Sequence, residues 1–148
     1  MVDVQPQQAR LEVIPYDECL RLLDEGQVGR LGGVWDGEPH VVPLNYRWDG
    51  SGVICRLDPG LTLHALADRT VVFEIDGFDT TARTGWSVIV RGRAAEAEGP
   101  PAAVGEPVPW APGVREHRVR IEAMSVSGRR ITRPGPLDNQ WWRLSASS

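Results

Sequence analysis

Apolar and polar residues alternate most regularly between residues 83 and 94, which predicts a β-strand. Small and apolar side chains share one face of this strand: Trp86, Val88, Val90 and Gly92. A more polar set shares the other face: Ser87, Ile89, Arg91 and Arg93. A strand with one apolar and one mixed face is typical of a barrel wall that has the core on one side and an interface or ligand site on the other.

Five further segments are rich in β-branched residues and predict strands: residues 28–35, 39–48, 53–57, 70–76 and 118–126. The dipeptide Asp36-Gly37 is a hairpin signal, and residues 49–52 and 77–80 are expected to form the next turns. Residues 127–131 are expected to turn the chain out of the last strand. Pro43 lies inside a predicted strand, so we expect either a bulge or a position whose missing N–H faces away from the ladder.

Two short helices are predicted beside these strands. Residues 15–25 place apolar side chains at helical spacing, and Gly26 follows as a stop. A second helix is expected to begin at Asp58-Pro59-Gly60 and to run through Leu66 and Ala67. Six or seven strands with short turns and two small helices predict a mainly β barrel with helical decoration.

The 148 residues are expected to form one domain with a core of its own. We predict a flexible N-terminus over residues 1–10, a barrel over residues 11–132 and a C-terminal tail over residues 133–148. Residues 99–117 contain five prolines and are expected to form a long irregular surface excursion. Neither repeats nor an internal domain boundary are apparent.

Composition narrows the classes of partner. The formal net charge of −4 provides no basic field for nucleic acid or an anionic membrane. Without an apolar run of membrane-spanning length or a signal peptide, the chain is predicted to be cytoplasmic.

Cys19 and Cys55 are interpreted as two buried thiols. The three histidines have no metal-binding spacing, so no metal is expected.

Seven motifs, in order along the chain, resemble those of the pyridoxamine 5′-phosphate oxidase-like proteins, and of their short actinobacterial branch in particular. The motifs are Val28-Gly29-Arg30-Leu31, Val41-Val42-Pro43-Leu44-Asn45-Tyr46, Pro59-Gly60-Leu61-Thr62-Leu63, Phe73-Glu74-Ile75-Asp76, Gly85-Trp86-Ser87-Val88, Pro109-Trp110-Ala111-Pro112-Gly113 and Gly128-Arg129-Arg130-Ile131. This resemblance covers roughly residues 11–132. It implies a split β-barrel, usually a homodimer, with two cofactor sites at the subunit interface.

The resemblance also implies a flavin cofactor, either FMN or the deazaflavin F420. Residues along the flavin and ribityl chain would be His40, Val42, Pro43, Leu44 and Asn45. Residues around the phosphate would be Arg56, Leu57, Gly60, Leu61, Thr62 and Leu63. Trp86 and Ser87 would contact the isoalloxazine ring of the flavin. An arginine and a helix N-terminus are suitable partners for a phosphate, and a hydroxyl can tune the flavin electronics.

Three positions depart from that branch, which commonly has Thr, a small neutral residue and Lys where this chain has Leu57, Asp58 and Thr62. The last two changes shift the local charge by two units toward negative. They are expected to weaken the contact with an FMN phosphate on the order of a hundredfold. The retained residues favour a flavin-dependent oxidoreductase acting on a small planar substrate: Asn45, Arg56, Trp86 and Ser87. The three departures favour a different class of function. A cofactor-free dimer that binds a small ligand or has a structural role is the alternative.

Pyridoxamine phosphate oxidation itself is not expected. The C-terminal substrate-binding region associated with that enzyme has no clear counterpart in residues 133–148. No nucleophile–base pair is apparent, and a flavin protein does not require one.

Overall fold

Antiparallel strands make up most of the structure, a computed structural model that describes residues 8–57, 63–97, 107, 110 and 117–133. The strands are β1 (Arg10–Val13), β2 (Val28–Trp35), β3 (Glu38–Trp48), β4 (Gly52–Leu57), β5 (Thr70–Asp79), β6 (Thr84–Glu96) and β7 (His117–Thr132). One α-helix, α1 (Tyr16–Glu25), precedes β2. Two short 3₁₀ turns, Leu63–Ala65 and Ala67–Arg69, lie between β4 and β5.

The sheet closes into a barrel because β7, its longest strand, pairs with β4 on one edge and with β6 on the other. The strand order is β1-β7-β4-β3-β2-β5-β6, and β6 pairs again with β7. Strand β7 pairs with β4 through residues 117–122 and with β1 through residues 129–132. Six strands thus form the ring, and β1 extends it beside the end of β7. The mainly β barrel predicted from the sequence is confirmed.

The barrel wall is split between β3 and β4. Their ladder covers only Tyr46–Trp48 of β3, which pair with residues 53–55 of β4. Strand β3 is paired with β2 along residues 38–45, but in the described part of the chain no strand pairs with its other edge there. This unpaired edge of β3 therefore borders a gap in the barrel wall, between β3 and β4.

Pro43 fits this gap. The Tyr46 N–H donates to the Gln27 carbonyl at 3.0 Å on the β2 side, so the N and C=O groups of odd-numbered residues such as Pro43 face the open edge. The register of β2 with β3 is continuous, without a bulge. Pro43 therefore does not form the bulge that was one of its two expected arrangements. It has the other one, in which the position of the missing N–H faces away from a ladder.

The barrel interior holds the hydrophobic core, and α1 covers one end of it. Phe73, Val88, Val90 and Ile121 are fully buried, which confirms the predicted apolar face of β6. Cys19 and Leu23 bury the inner side of α1. A methyl group on Gly128 of β7 would lie 2.7 Å from the Cys19 sulfur, so the helix approaches the strand too closely for a larger residue.

Several boundaries differ from the prediction. Strand β5 continues to Asp79, so the turn expected at residues 77–80 lies at residues 80–83 instead, where the Asp79 carboxylate accepts the N–H groups of Thr81 and Ala82. Residues 127–131 do not turn out of the sheet, because pairing with β1 and β6 extends β7 to Thr132.

Two further differences concern short elements. Strand β1 was not predicted: its four residues, 10–13, alternate polar and apolar side chains, but so short a run at the end of the polar N-terminus gives a weak signal, and all four residues are exposed. The second predicted helix forms only two 3₁₀ turns over residues 63–69, interrupted at Asp68, where φ is 52°. Its expected start at residues 58–62 lies outside the described residues, as do residues 1–7, most of 98–116 and the tail from residue 134.

Candidate functional site

Five residues form a transverse band on the outside of the barrel, here called the outer band: Arg56, Asn45, Val28, Asp76 and Ser87. Val28 is opposite Asn45, and Asp76 is opposite Ser87. Continuing the ladders of β3 with β4 and of β2 with β5 brings Asn45 level with Arg56 and Val28 level with Asp76. The outer band therefore crosses β4, β3, β2, β5 and β6, which are five of the six strands in the ring, and it follows the curve of the barrel wall.

The gap between β3 and β4 lies at one end of the outer band. Asn45 and Arg56 are on its two sides, and both side chains are half-buried. Main-chain groups of Val41, Pro43 and Asn45 face this gap, as the direction of the Tyr46 N–H establishes. The gap thus combines main-chain donors and acceptors with a guanidinium group.

The Asn45 amide already has two partners within the chain. Its Oδ1 accepts the Trp110 backbone N–H at 2.9 Å, and its Nδ2 donates to the Gln27 carbonyl at 3.4 Å. Asn45 thereby holds the Trp110 main chain against the outer face. With respect to the described residues, each of its polar atoms has one further lone pair or hydrogen that could serve a ligand.

A charged cluster on β2 and β5 adjoins Ser87. One guanidinium nitrogen of Arg30, Nη1, lies 2.8 Å from Asp76 Oδ2 and 3.3 Å from Glu74 Oε1. Partial burial, and then the neighbouring Asp76 carboxylate, raise the pKa of Glu74 to about 7, although Arg30 opposes the shift. A carboxyl group that titrates near neutral pH therefore lies on the same face as Ser87.

Sequence reasoning missed this cluster. Arg30 and Asp76 are 46 residues apart, and only the register between β2 and β5 brings them together. The alternation of Glu74 and Asp76 within a predicted strand was an available signal, since it places two acidic side chains on one face.

Other predicted site residues point into the barrel. Leu44, Leu57 and Leu63 are at most 5% exposed and belong to the core, so only their main-chain groups could reach an outside ligand. Val42 also packs against the core, and the His40 ring makes an edge contact with Trp35. Gly60, Leu61 and Thr62 lie outside the described residues.

Trp86 and Ser87 are consecutive on β6 and so project to opposite faces of the sheet. Trp86 packs against the core, with its indole above Gly77: a methyl group there would be 2.7 Å from the indole nitrogen. Ser87 lies outside, opposite Asp76. The structure therefore brings Ser87, but not the Trp86 side chain, onto the face that carries Arg56 and Asn45.

The buried thiols are as predicted. Cys19 and Cys55 are both free and buried, and desolvation raises the pKa of Cys55 to about 12. Among the described residues, no three side chains of His, Cys, Asp or Glu are grouped as a metal site would require. Nor does any described helix have the length and apolar character needed to cross a membrane.

Comparison with known proteins places this geometry in a family. The family model for pyridoxamine 5′-phosphate oxidase matches residues 15–130. An uncharacterized protein of Mycobacterium tuberculosis, Rv0080, is 33% identical over 136 residues, which cover 85% of this chain and 90% of the relative.

Solved structures give the same result for the fold. The FAD-binding protein from Mycobacterium smegmatis superposes with a TM-score of 0.63 at 29% identity, covering 82% of this chain and 98% of that one. A conserved protein of unknown function from Corynebacterium diphtheriae gives a TM-score of 0.69 at 28% identity, with coverage of 82% and 98%. Since the family model spans most of the chain, the protein belongs to the pyridoxamine 5′-phosphate oxidase family.

Proposed function

We propose that the protein binds a flavin along the outer band and uses it as an oxidoreductase. The observation that carries this proposal is the order of residues across the barrel: Arg56 at the gap, Asn45 beside it and Ser87 at the far end. The resemblance assigns these residues to the phosphate, the ribityl chain and the ring. Arg56 and Asn45 adjoin each other across the gap, as the phosphate and the ribityl chain do in a flavin.

The residues of the outer band suit such a ligand chemically. Arg56 can form a charge-assisted contact with the phosphate, and the main-chain groups at the gap can bind the ribityl hydroxyls. Asn45 has remaining hydrogen-bonding capacity, and the Ser87 hydroxyl can donate to a ring carbonyl or nitrogen. The similar protein from Mycobacterium smegmatis is an FAD-binding protein, which supports a flavin as the ligand. The candidates are FAD and the two cofactors implied by the resemblance, FMN and the deazaflavin F420.

A homodimer would complete this site. The outer faces of β2, β3 and β5 expose the aliphatic side chains Val28, Val34, Val41 and Val72, which are 39–71% accessible. Apolar side chains grouped on one face are characteristic of an interaction surface. A second copy packed there would cover the outer band and exclude water from the isoalloxazine ring of the flavin.

A bound flavin would supply the transfer of a hydride or of electrons itself. The chain would orient the cofactor and control protons near it. Glu74 can hold or release a proton at its carboxyl group near neutral pH, and Arg30 fixes the position of the neighbouring Asp76 at 2.8 Å. The substrate proposed from the resemblance is a small planar molecule.

The test is a flavin titration of the Arg56→Gln variant. Losing one charge-assisted phosphate contact is expected to weaken FMN binding by about 10- to 100-fold, while riboflavin, which has no phosphate, should bind as before. Arg21→Gln on the exposed side of α1 is the control and should leave both affinities unchanged. Equal losses for FMN and riboflavin would contradict a phosphate role for Arg56.

A further inference from the structure

One residue between β6 and β7 contacts the outer band beside the gap. Residues 109–113 carry one of the seven motifs of the resemblance, and Trp110 is the residue of that motif that the structure describes. Its backbone N–H donates to Asn45 Oδ1 at 2.9 Å, although 65 positions separate the two residues in the sequence. Trp110 is not among the residues that the resemblance assigns to the flavin.

Two hydrogen bonds fix the orientation of the Asn45 amide. A backbone N–H can only donate and a backbone carbonyl can only accept, so Oδ1 faces Trp110 and Nδ2 faces Gln27. The Gln27 carbonyl also accepts the Tyr46 N–H at 3.0 Å. The Asn45 side chain therefore connects the Trp110 main chain to the end of the ladder between β2 and β3.

The Trp110 side chain is exposed, unlike those of the other described tryptophans. Trp110 is 70% exposed, whereas Trp35 and Trp48 are at most 6% exposed and Trp86 packs against the core. No ring contact joins the Trp110 indole to another aromatic side chain in the described part of the chain. A large apolar group that is held in place by its main chain and left uncovered is typical of a contact with a ligand or a partner.

The position of Trp110 favours one part of a flavin. Asn45 lies level with Arg56 across the gap, and Arg56 is the proposed partner of the phosphate. The part of a flavin next to its phosphate is the ribityl chain, which has C–H groups and hydroxyls. The face of an indole packs on C–H groups, and the main-chain groups at the gap can bond the hydroxyls. Together they offer both kinds of contact that a polyol chain needs.

We propose, on the basis of the proposed flavin function, that Trp110 is a ligand-binding residue whose indole packs on the ribityl chain, and that Asn45 positions it. Asn45 holds the Trp110 main chain, and the indole makes the contact with the ligand. The contact would serve any flavin that has this chain, whichever group follows the chain.

The experiment compares the dissociation constants of FMN, riboflavin and lumiflavin, which has the ring but no ribityl chain. For Trp110→Ala we expect FMN and riboflavin to bind about tenfold more weakly, because a packed aromatic contact is lost, and lumiflavin to bind as in the wild type. Trp110→Phe keeps a flat ring and should recover part of the loss. Tyr16→Ala is the matched control, because it removes an aromatic ring from a residue of α1 that is 63% exposed.

Asn45→Ala tests the positioning role. It removes the acceptor of the Trp110 N–H and should weaken riboflavin by about the same factor as Trp110→Ala. The double variant Asn45→Ala/Trp110→Ala should bind riboflavin no more weakly than Trp110→Ala alone, because the two residues act as one unit. Unchanged lumiflavin binding shows that each variant is folded.

Four results would overturn the proposal. Unchanged riboflavin binding in Trp110→Ala would leave the flavin function intact but remove the role of the indole. An equal loss of lumiflavin would show that the indole does not act on the ribityl chain. Losses that multiply in the double variant would show that Asn45 does not act through Trp110. A wild type that binds none of the three flavins would overturn the proposed function itself and this inference with it.

Discussion

At the scale of single residues, Glu74 shares one arginine with a second carboxylate. Its pKa is raised from 4.5 to about 7, so the folded protein retains a proton that the unfolded chain releases between these values. Folded-state stability is therefore expected to fall as the pH rises from about 4.5 to 7. Below that window Glu74 is protonated in both states and the penalty disappears.

Glu74→Gln should remove this penalty. We expect the variant to be more stable than the wild type at pH 8 and equally stable near pH 4.5. The side chain is one-third exposed, so solvent screening limits the gain to about 1 kcal/mol, or 2–4 °C in melting temperature. Thermal unfolding at both pH values measures it, with exposed Glu38→Gln as the control. A variant that is less stable at pH 8 would contradict this account.

Residue identities predicted only part of the site. The alternation along β6 correctly placed Ser87 on the outer face and Val88 in the core. This prediction succeeds because successive side chains of a strand project to opposite faces, whichever strands pair with it. The pairing of Arg30 with Asp76 depends on the register between strands distant in sequence, which the residues alone did not reveal. Whether Ser87 and Arg56 contact a flavin stays a prediction.

At the scale of elements, a buried hydrogen bond joins the last turn of helix α1 to the barrel, besides the ion pair of Glu18 with Arg130 of β7. The Tyr46 hydroxyl of β3 donates to the Leu23 carbonyl at 2.7 Å, and burial raises the pKa of Tyr46 well above its ordinary value. Its ring also makes an edge contact with Phe73, at 4.9 Å between centroids. The last turn of α1 is thereby held against the core.

Tyr46→Phe should keep the ring packing and remove only this bond. Leaving the Leu23 carbonyl without its partner is expected to lower the free energy of unfolding by about 1–2 kcal/mol. Chemical denaturation measures the change, and Tyr16→Phe, whose side chain is exposed, is the matched control with no expected effect. No loss in Tyr46→Phe would mean that this bond does not hold the helix.

Element prediction succeeded where one face of a segment is buried. Strand β2 has the predicted bounds, and the Asp36-Gly37 hairpin has positive φ values of 51° and 79° at its two central residues. It failed for β1, whose four residues are all exposed and are ordered by pairing with β7. The end of β7 was misplaced for the same reason, because partner strands rather than local residues decide where it stops.

At the scale of the whole molecule, the exposed valines on β2, β3 and β5 are the basis for the proposed dimer. Val41 is 71% exposed and Val72 is 40% exposed, and both lie level with Gly32 of β2 on the outer face. Burying such side chains between two copies would contribute the hydrophobic free energy of association. The same contact would cover the outer band.

Light scattering after size exclusion should therefore give twice the chain mass of 16.3 kDa. The double variant Val41→Glu/Val72→Glu is expected to shift this to the monomer mass, because a charge is costly to bury. Val13→Glu on β1 is the control, since Val13 is equally accessible at 69% but lies away from these strands. A monomeric wild type, or a dimer unaffected by the double variant, would contradict the proposed interface.

The central claim is that this barrel binds a flavin along the outer band. The visible absorption spectrum of the freshly purified wild-type protein, followed by titration with FMN, FAD and F420, tests it most directly. We predict flavin bands that travel with the protein, or saturable quenching of flavin fluorescence at micromolar concentration. A colourless protein that binds none of the three would contradict the claim and favour the cofactor-free alternative, in which the dimer binds another small ligand or has a structural role.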